Sequence, residues 1–285
     1  MSSPAGRADL HLHTFHSDGT FSPEELVERA QGLGLRAIAV TDHDTVAALP
    51  AARKAAGAGL EVIAGVELTA AFKEREIHLL GYWLRIEEPA LLGFLSRMRE
   101  YRLDRIRAMI ARLRAHGVAQ ISLEEVQAIA GPGTVGRPHL AEALVNRRAV
   151  PTIQQAFDRY LGDQAPCFVK GSTLTVERAV QILRAAGGVA VLAHPHRIIE
   201  DGWIPELVSA GIQGIEVYHS EQEPQVTRHY LELAHRHRLL VSGGSDCHGF
   251  RKSQGPLIGS VTVPYALVER LKEAVGNLPP ATDDP

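Results

Sequence analysis

The stretch ADLHLHTFHSDGT, residues 8–20, sets a short apolar strand directly in front of a polar turn. His11 and His13 stand two positions apart, so on a strand their imidazoles project from the same face and can reach one cation. Asp18 follows on the SDGT turn. A single histidine is more often a core or surface residue than a ligand, so the rest of the chain decides whether this is a metal site.

Short apolar runs alternate with helical segments along most of the chain. The segment SPEELVERAQGLG begins with a capping box, in which Ser22 is the N-cap, Pro23 the first helical residue and Glu25 the third. Apolar runs without polar alternation are typical of parallel strands buried on both faces, so we expect an α/β fold closed as a parallel barrel. After the first strand, ADLHLH, we expect strands at RAIAV (36–40), EVIAG (61–65), IHLLGYWL (77–84), GVAVLA (188–193), GIEVY (214–218) and LLVSGG (239–244).

A run of helical segments interrupts this alternation. RMREYRLDRIRAMIARLRAHG carries Met98, Ile106 and Met109 at helical spacing, and further helical patterns follow. We therefore expect a barrel built from residues 1–97 and 166–285, and an inserted all-helical domain of residues 98–165 that contributes to the substrate pocket. The arginines of its first helix fit either a solvated face or a surface that guides an anionic substrate. They are Arg97, Arg99, Arg102, Arg105, Arg107, Arg112 and Arg114.

Composition and charge exclude several classes of protein. No apolar run approaches the roughly 18 residues that a membrane span needs, and the first residues lack the apolar core of a secretory signal. The formal net charge of -3 argues against an overall electrostatic grip on nucleic acid or anionic lipid. Cys167 and Cys247 are too few for a disulfide framework or a thiolate zinc site. We expect a cytoplasmic protein that does not bind membranes, and the sequence indicates no oligomeric state.

Polar side chains follow the predicted strands at the points where the strands end. Because the C-terminal ends of parallel barrel strands converge on one mouth, these side chains are expected to meet in one site. Imidazoles and carboxylates without thiolates suit manganese, iron or zinc. The residues are His43, Asp44, Glu67, His194, His219, Asp246 and His248.

At these residues the sequence resembles the polymerase-and-histidinol-phosphatase (PHP) family of metal-dependent phosphoesterases. The resemblance runs through DLHLHTFHSDGT, GLRAIAVTDHDT, VIAGVELTA, IHLLGYWL, GVAVLAHP, GIEVYHS and SGGSDCHG, and so covers nearly the whole chain. It implies a distorted (β/α)7 barrel, similar to a TIM barrel, and a centre of three divalent metal ions. Mn²⁺ is the expected ion, although Fe²⁺ or Zn²⁺ would accept the same ligands.

The resemblance also implies which residues bind each ion. The first ion would take His11, His13, Glu67 and Asp246. The second would share Glu67 and add His78 and His194. The third would take Asp18, His43 and His248. Every ligand position of the three-metal form is therefore filled in this chain.

The segments GRPHLAEALV and RYLGDQAPCFVKG resemble a narrower subgroup of these proteins. That resemblance implies removal of the 3′-phosphate of nucleoside 3′,5′-bisphosphates, such as adenosine 3′,5′-bisphosphate to AMP and phosphate. Three divalent ions held by three carboxylates keep a surplus of positive charge, so we expect a phosphorylated substrate attacked by a metal-bridging hydroxide. The alternatives are a 5′-3′ exoribonuclease acting on short RNA, a non-catalytic PHP scaffold module, and an amidohydrolase acting on a neutral substrate.

Further residues are candidates for contact with the substrate. His196 and His219 are expected near the leaving group, either as proton donors or in a structural or substrate-orienting role. Phosphate binding is expected from Ser17, Arg137, His139, Lys170 and Arg197. For Arg137 and Arg197 the alternative is pairing with carboxylates of the barrel rim, and for Ser17 it is ordinary turn chemistry.

Overall fold

An eight-stranded sheet curls into a nearly closed barrel in the computed structural model, which describes residues 6–118, 120–171, 174–197, 199–251 and 255–276. The strand order is β7-β6-β5-β4-β3-β2-β1-β8, and β1 also packs beside β7. The predicted α/β barrel is thus confirmed. The strands are β1 (Arg7–Leu12), β2 (Ala37–Val40), β3 (Glu61–Phe72), β4 (Arg75–Tyr82), β5 (Val189–Leu192), β6 (Gly214–His219), β7 (Leu240–Gly244) and β8 (Val263–Pro264).

Helices cover the outside of the barrel and form a separate layer over its mouth. Among the described residues, no helix is both long and apolar enough to cross a bilayer. A π-helical turn, Phe157–Leu161, continues one of the helices. The α-helices are α1 (Pro23–Gly32), α2 (Leu49–Ala56), α3 (Pro89–Ala115), α4 (Leu123–Ala130), α5 (Arg137–Asn146), α6 (Ile153–Ala156), α7 (Val176–Ala185), α8 (Ile204–Ser209), α9 (Pro224–Arg236) and α10 (Tyr265–Gly276).

Strand β4 departs from the parallel arrangement that the sequence predicts. It pairs antiparallel with β3 and with β5, because a two-residue turn at Lys73 and Glu74 folds β3 back on itself. Both turn residues have positive φ, 44° and 63°, the conformation that favours tight hairpins. Strand β3 is also longer than expected, so Glu67 lies within it rather than after it. The hairpin brings the beginning of β4, with Glu76 and His78, to the barrel mouth.

The capping box predicted for the first helix is present. Ser22 Oγ accepts a hydrogen bond from the Glu25 backbone N–H at 3.1 Å, and the Glu25 carboxylate accepts one from the Ser22 N–H at 2.8 Å. Pro23 is the first helical residue, where its missing N–H costs nothing. Such a cap stabilises the helix by about 1 kcal/mol and fixes where the chain leaves the mouth after the SDGT turn.

Helix α3 links two hydrophobic cores. Its first half, with Leu91, Phe94 and Met98, packs into the core between the barrel and its outer helices. Its second half, with Ile106 and Met109, packs into a separate core with α4, α5 and α6. The predicted boundary at residue 98 therefore falls inside one continuous helix, and the division into two domains stays a prediction. Residues 98–165 are called the helical insertion below.

Candidate metal centre

The barrel mouth gathers the nine side chains that the sequence predicts as metal ligands. They come from β1, β3 and β4 and from the loops that follow β1, β2, β5 and β7. Most are fully buried, and the remainder are partly exposed toward the helical insertion. They are His11, His13, Asp18, His43, Glu67, His78, His194, Asp246 and His248.

The first group surrounds the centre of the mouth. His11 Nε2 lies 3.2 Å from Glu67 Oε2 and 3.5 Å from Asp246 Oδ1. His13 Nε2 lies 3.2 Å from the same Glu67 oxygen and 3.3 Å from the same Asp246 oxygen. The ligand atoms of the four residues all lie within 4.8 Å of one another, which suits an ion with bonds of about 2.0–2.2 Å.

The second group uses the other oxygen of Glu67. Oε1 lies 2.7 Å from His78 Nδ1 and 2.9 Å from His194 Nε2. His43 Nδ1 lies 3.3 Å from Glu67 Oε2, so it also belongs to this neighbourhood. The structure thus brings the expected second set together and places His43 between it and the third.

The third group lies nearest to the helical insertion. His248 Nε2 is 3.3 Å from Asp18 Oδ1, and His43 Nε2 is 3.8 Å from Asp18 Oδ2. His13 Nδ1 lies 3.8 Å from Asp18 Oδ1, so the expected set of three is joined by a fourth residue. His13 thereby connects the first and third groups.

Unsatisfied polar atoms show that these residues fit metal ions. Within the described part of the chain, His13 Nε2, Asp18 Oδ1 and His43 Nδ1 are buried and make no hydrogen bond of good geometry, although each lies 3.2–3.3 Å from an atom of a neighbouring ligand residue. Leaving a buried polar atom unpaired costs about 1–3 kcal/mol, so three such atoms facing one another at the mouth fit a shared cation. Imidazole and carboxylate donors without thiolates match Mn²⁺, Fe²⁺ or Zn²⁺.

The electrostatics of the mouth also favour cations. Burial alone would raise the pKa of the Glu67 carboxyl, but the imidazoles of His43 and His11 hold this pKa well below its usual range. Burial opposes protonation of His13 and His78, yet the neighbouring carboxylates raise the pKa of each to about 9. In the absence of metal, the ionised carboxylates therefore attract protons to these histidines, and divalent ions would replace those protons.

Glu216 is a functional residue that sequence reasoning missed. It is fully buried on β6, its Oε1 lies 2.9 Å from His11 Nδ1, and its Oε2 accepts the His194 backbone N–H at 2.7 Å. A carboxylate behind a metal-binding histidine fixes the tautomer and orientation of the imidazole. The available signal was a charged residue within the apolar strand GIEVY.

Two buried aspartates hold the loops of the mouth in place. Asp42 accepts hydrogen bonds from the Thr14 N–H and hydroxyl, each at 2.7 Å, and from the Ser17 hydroxyl at 2.6 Å. Asp9 accepts the Ser245 N–H at 2.9 Å and the Ser245 hydroxyl at 2.6 Å. The Ser17 hydroxyl is therefore engaged by Asp42, which favours the turn-chemistry alternative over phosphate binding.

The two proton-donor candidates differ in how their nitrogens are used. His219 Nδ1 accepts the Glu221 backbone N–H at 3.1 Å, so its Nε2 carries the proton and faces Asp246 Oδ2 at 3.3 Å. His196 Nδ1 contacts the Gln222 amide at 2.9 Å, while its buried Nε2 has no partner in the described residues. His219 thus braces Asp246, one of the predicted ligands, and a proton-donor role for either residue stays a prediction.

The four basic phosphate-binding candidates separate into two pairs. Arg137 and Arg197 both line cavities at the mouth, and both also pair with carboxylates, as the rim alternative expects. Arg137 lies 2.6 Å from Asp163, and Arg197 lies 3.0 Å from Asp246 Oδ2. Lys170 instead pairs with exposed Glu74, and His139 is buried, where its Nδ1 accepts the Gly136 N–H at 3.1 Å. Neither lines these two cavities.

Two further arginines reach the mouth from helix α3. Arg102 pairs with Asp44 at 2.6 Å, and Arg105 pairs with Glu76 at 3.1 Å. Both line the same cavity as Arg137, next to Asp18, His43 and His78. Their position was readable, since Arg102 and Arg105 share the helix face of buried Met98 and Met109.

Comparisons with known proteins show what this chain is similar to. A family model of the PHP domain matches residues 9–162. The chain is 37% identical over 248 residues to the 5′-3′ exoribonuclease Rnm of Salmonella typhimurium, and the alignment covers 84% of each chain. It is 35% identical over 246 residues to the 3′,5′-nucleoside bisphosphate phosphatase of Chromobacterium violaceum, and this alignment covers 84% of this chain and 86% of the relative. A solved structure from Bifidobacterium adolescentis, described as a candidate metal-dependent phosphoesterase, matches with a TM-score of 0.85 at 31% identity and covers 95% of this chain and 96% of that one.

Proposed function

The chain belongs to the PHP-domain family of metal-dependent phosphoesterases, and we propose that it removes the 3′-phosphate from nucleoside 3′,5′-bisphosphates. The observation that carries the proposal is a cluster of histidines and carboxylates that opens directly into an arginine-lined cavity. The cluster would hold the reacting phosphate through metal ions, and the arginines would hold the phosphate that is not cleaved. A relative that aligns with most of the chain is named for this activity.

Three divalent ions, Mn²⁺ in our proposal, would be held by the three groups of ligands described above. When bound, such ions supply a nucleophile at neutral pH and offset the charge of the phosphate. Six positive charges against Asp18, Glu67, Asp246 and Glu216 leave a surplus of two. This surplus favours a phosphate dianion over a neutral amide or ester as the bound group.

The arginine cavity already holds one anionic side chain of the protein itself. Glu76 Oε2 lies 3.1 Å from Arg105 and its Oε1 lies 3.4 Å from Arg137. Burial would raise the pKa of Glu76, but the contact with His78 and the charge of Arg105 hold it well below its usual range. Two guanidinium groups around one ionised carboxylate can also donate hydrogen bonds to phosphate oxygens, whose geometry fits their planar donors. We assign this cavity, of about 120 Å³, to the 5′-phosphate.

A neighbouring cavity of about 290 Å³ offers an apolar wall beside the metal ligands. Phe157, Pro138 and Ile153 line it, and Phe157 lines the arginine cavity as well. Phe157 begins the π-helical turn, and such turns are frequent at functional sites. An aromatic ring at this point would stack on a nucleobase, a contact worth about 1–3 kcal/mol.

Removal of metal ions should lower the melting temperature of the protein. At a free Mn²⁺ concentration of about 100 times the dissociation constant, each ion stabilises the folded state by about 2.7 kcal/mol. Loss of one ion should then lower the melting temperature by about 4–5 °C for a chain of this length. Scanning calorimetry after dialysis against EDTA, and again after Mn²⁺ is returned, measures this shift. Identical melting temperatures in the two conditions would contradict a metal centre at the mouth.

Turnover of two substrates tests the proposed specificity. We expect fast phosphate release from adenosine 3′,5′-bisphosphate and at least tenfold slower cleavage of a 5′-phosphorylated tetraribonucleotide, since the described cavities fit one nucleotide. Phosphate release and mononucleotide release are followed in the same Mn²⁺-loaded preparation. A faster rate on the tetraribonucleotide would reject the bisphosphate proposal.

The second candidate function is 5′-3′ exoribonuclease activity in the same site. The Salmonella relative carries that name, and Arg107, Arg112 and Arg114 extend along α3 beyond the cavity. Binding of several RNA phosphates by such a track would weaken steeply as salt rises, whereas a single bisphosphate would respond less. The salt dependence of KM for the two substrates therefore separates the two functions.

A further inference from the structure

We propose that the helical insertion organises one of the three metal subsites, that of Asp18, His43 and His248, while the barrel alone organises the other two. The inference rests on the metal ligands of the proposed function. It assigns positioning roles to Gly133, Thr134 and other residues of the insertion that contact the ligand loops from outside the barrel.

The ligands of this subsite are the ones farthest from the strands. Asp18 lies six residues beyond the end of β1, His43 three beyond β2, and His248 four beyond β7. The remaining ligands lie inside a strand or within two residues of its end. Paired strands fix the latter through backbone hydrogen bonds. Of the former, His43 keeps a single bridge to Glu67 of β3, whereas Asp18 and His248 depend on what their loops contact.

The loop of Asp18 packs against the insertion at Gly133 and Thr134. The Thr134 N–H donates to the His16 carbonyl at 2.9 Å. A Cβ on Gly133 would lie 2.4 Å from the Phe15 carbonyl oxygen and 3.0 Å from that of Ser17. No residue with a side chain can make this approach without moving the loop, so glycine is required here.

The loop of His43 is held from the same side. The Thr134 hydroxyl donates to the His43 carbonyl at 2.9 Å. The next residue, Asp44, has a φ of 50° and pairs with buried Arg102 at 2.6 Å. Thr134 therefore bridges the loops of two ligands, and Arg102 holds the strained residue beside one of them.

The loop of His248 is tied to helix α5 of the insertion. Arg251, three residues after His248, donates to the Glu142 carboxylate at 2.6 Å. The Arg251 side chain is only 12% exposed, whereas that of Glu142 is 37% exposed, so the pair is shielded from solvent on the arginine side only. All three ligand loops thus contact the insertion.

The other two subsites are braced from within the barrel. Glu216 of β6 contacts His11 and the backbone of His194. His78 is paired on both sides, by β3 and by the Ala193 N–H that its carbonyl accepts at 3.0 Å. Arg105 and Arg137 of the insertion pair with Glu76 of β4. Among the described residues, neither arginine forms an ion pair or hydrogen bond with His78 itself.

Metal binding by single variants tests this division. Thr134→Val removes the hydroxyl that donates to the His43 carbonyl and keeps nearly the same side-chain shape. Gly133→Ala forces the Asp18 loop away, because its Cβ would collide with that loop. In titration calorimetry with Mn²⁺, we expect each variant to bind two ions with unchanged affinity and the third about 10- to 100-fold more weakly, as for other residues that support metal ligands. Anomalous scattering from Mn²⁺-soaked crystals should show the peak at Asp18 reduced and the others kept.

Two control variants complete the experiment. Glu125→Gln removes a pair with Arg147 elsewhere in the insertion and should bind all three ions normally. Glu216→Gln should weaken the ion at His11 and spare the one at Asp18. Unchanged binding by both test variants, or equal weakening of all three ions, would overturn the inference; Thr134→Val decides if Gly133→Ala does not fold. Wild-type protein without Mn²⁺ at Asp18 would overturn the proposed centre as well, so the two failures are distinguishable.

Discussion

Glu67→Gln should reduce phosphate release from adenosine 3′,5′-bisphosphate by at least about 10³-fold. Glu67 contacts His11 and His13 through one oxygen and His78 and His194 through the other, at 2.7–3.2 Å. The amide is uncharged and offers one acceptor oxygen in place of two, so it cannot serve two ions. Metal ions contribute several kcal/mol of transition-state stabilisation, and 4 kcal/mol corresponds to about 10³-fold in rate.

The measurement combines initial rates with metal content in the purified protein. Glu61→Gln is the matched control, because Glu61 lies on the same strand at the opposite end of the barrel and pairs with Tyr265 and Lys272. Its rate should stay within a factor of two of wild type, while far-ultraviolet circular dichroism should show both variants folded. If folded Glu67→Gln kept a tenth of the wild-type rate, the mouth would not be the catalytic site.

Arg105→Gln should lower kcat/KM for adenosine 3′,5′-bisphosphate by about 10- to 100-fold. The variant removes one of the two guanidinium groups around Glu76, and a hydrogen bond to a charged group contributes about 1.5–3 kcal/mol. The loss should fall mainly on substrates with a second phosphate. For 3′-AMP, which lacks the 5′-phosphate, the change should be much smaller.

Arg107→Ala is the control on the same helix. Arg107 lies two residues farther along α3, pairs with Asp104 and is 55% exposed, so its removal should leave bisphosphate cleavage nearly intact. Steady-state kinetics of both variants with both substrates give four ratios. Equal losses for the bisphosphate and the monophosphate in Arg105→Gln would mean that Arg105 does not bind the 5′-phosphate.

The barrel and the positions of most site residues could be predicted because they depend on local patterns. A ligand at the end of an apolar run, as with His194, needs only the strand and its direction to be placed at the mouth. The direction of strand β4 was harder to predict, since its apolar run is equally consistent with a parallel and an antiparallel strand. The hairpin at Lys73 and Glu74 lacks the Asn-Gly or Asp-Gly pair that announces such turns.

The parts that sequence reasoning missed depend on contacts between distant segments. Glu216 is a charged residue that is buried because its partner, His11, comes from elsewhere in the chain. Nothing in the neighbouring sequence identifies that partner. Lys170 is a basic residue that sequence reasoning expects near the phosphate; the structure pairs it with exposed Glu74, and its role in phosphate binding stays a prediction.

Helix α3 imposes a constraint on how this protein can change in length. Its 27 residues form one uninterrupted helix about 40 Å long, which packs against both cores. Inserting one residue between Met98 and Arg102 would turn everything downstream by about 100° and aim Arg102 and Arg105 away from the cavity. Each added residue also moves the downstream helix by about 1.5 Å along its axis, so a change of length there would break the contacts of Arg102 and Arg105 with Asp44 and Glu76.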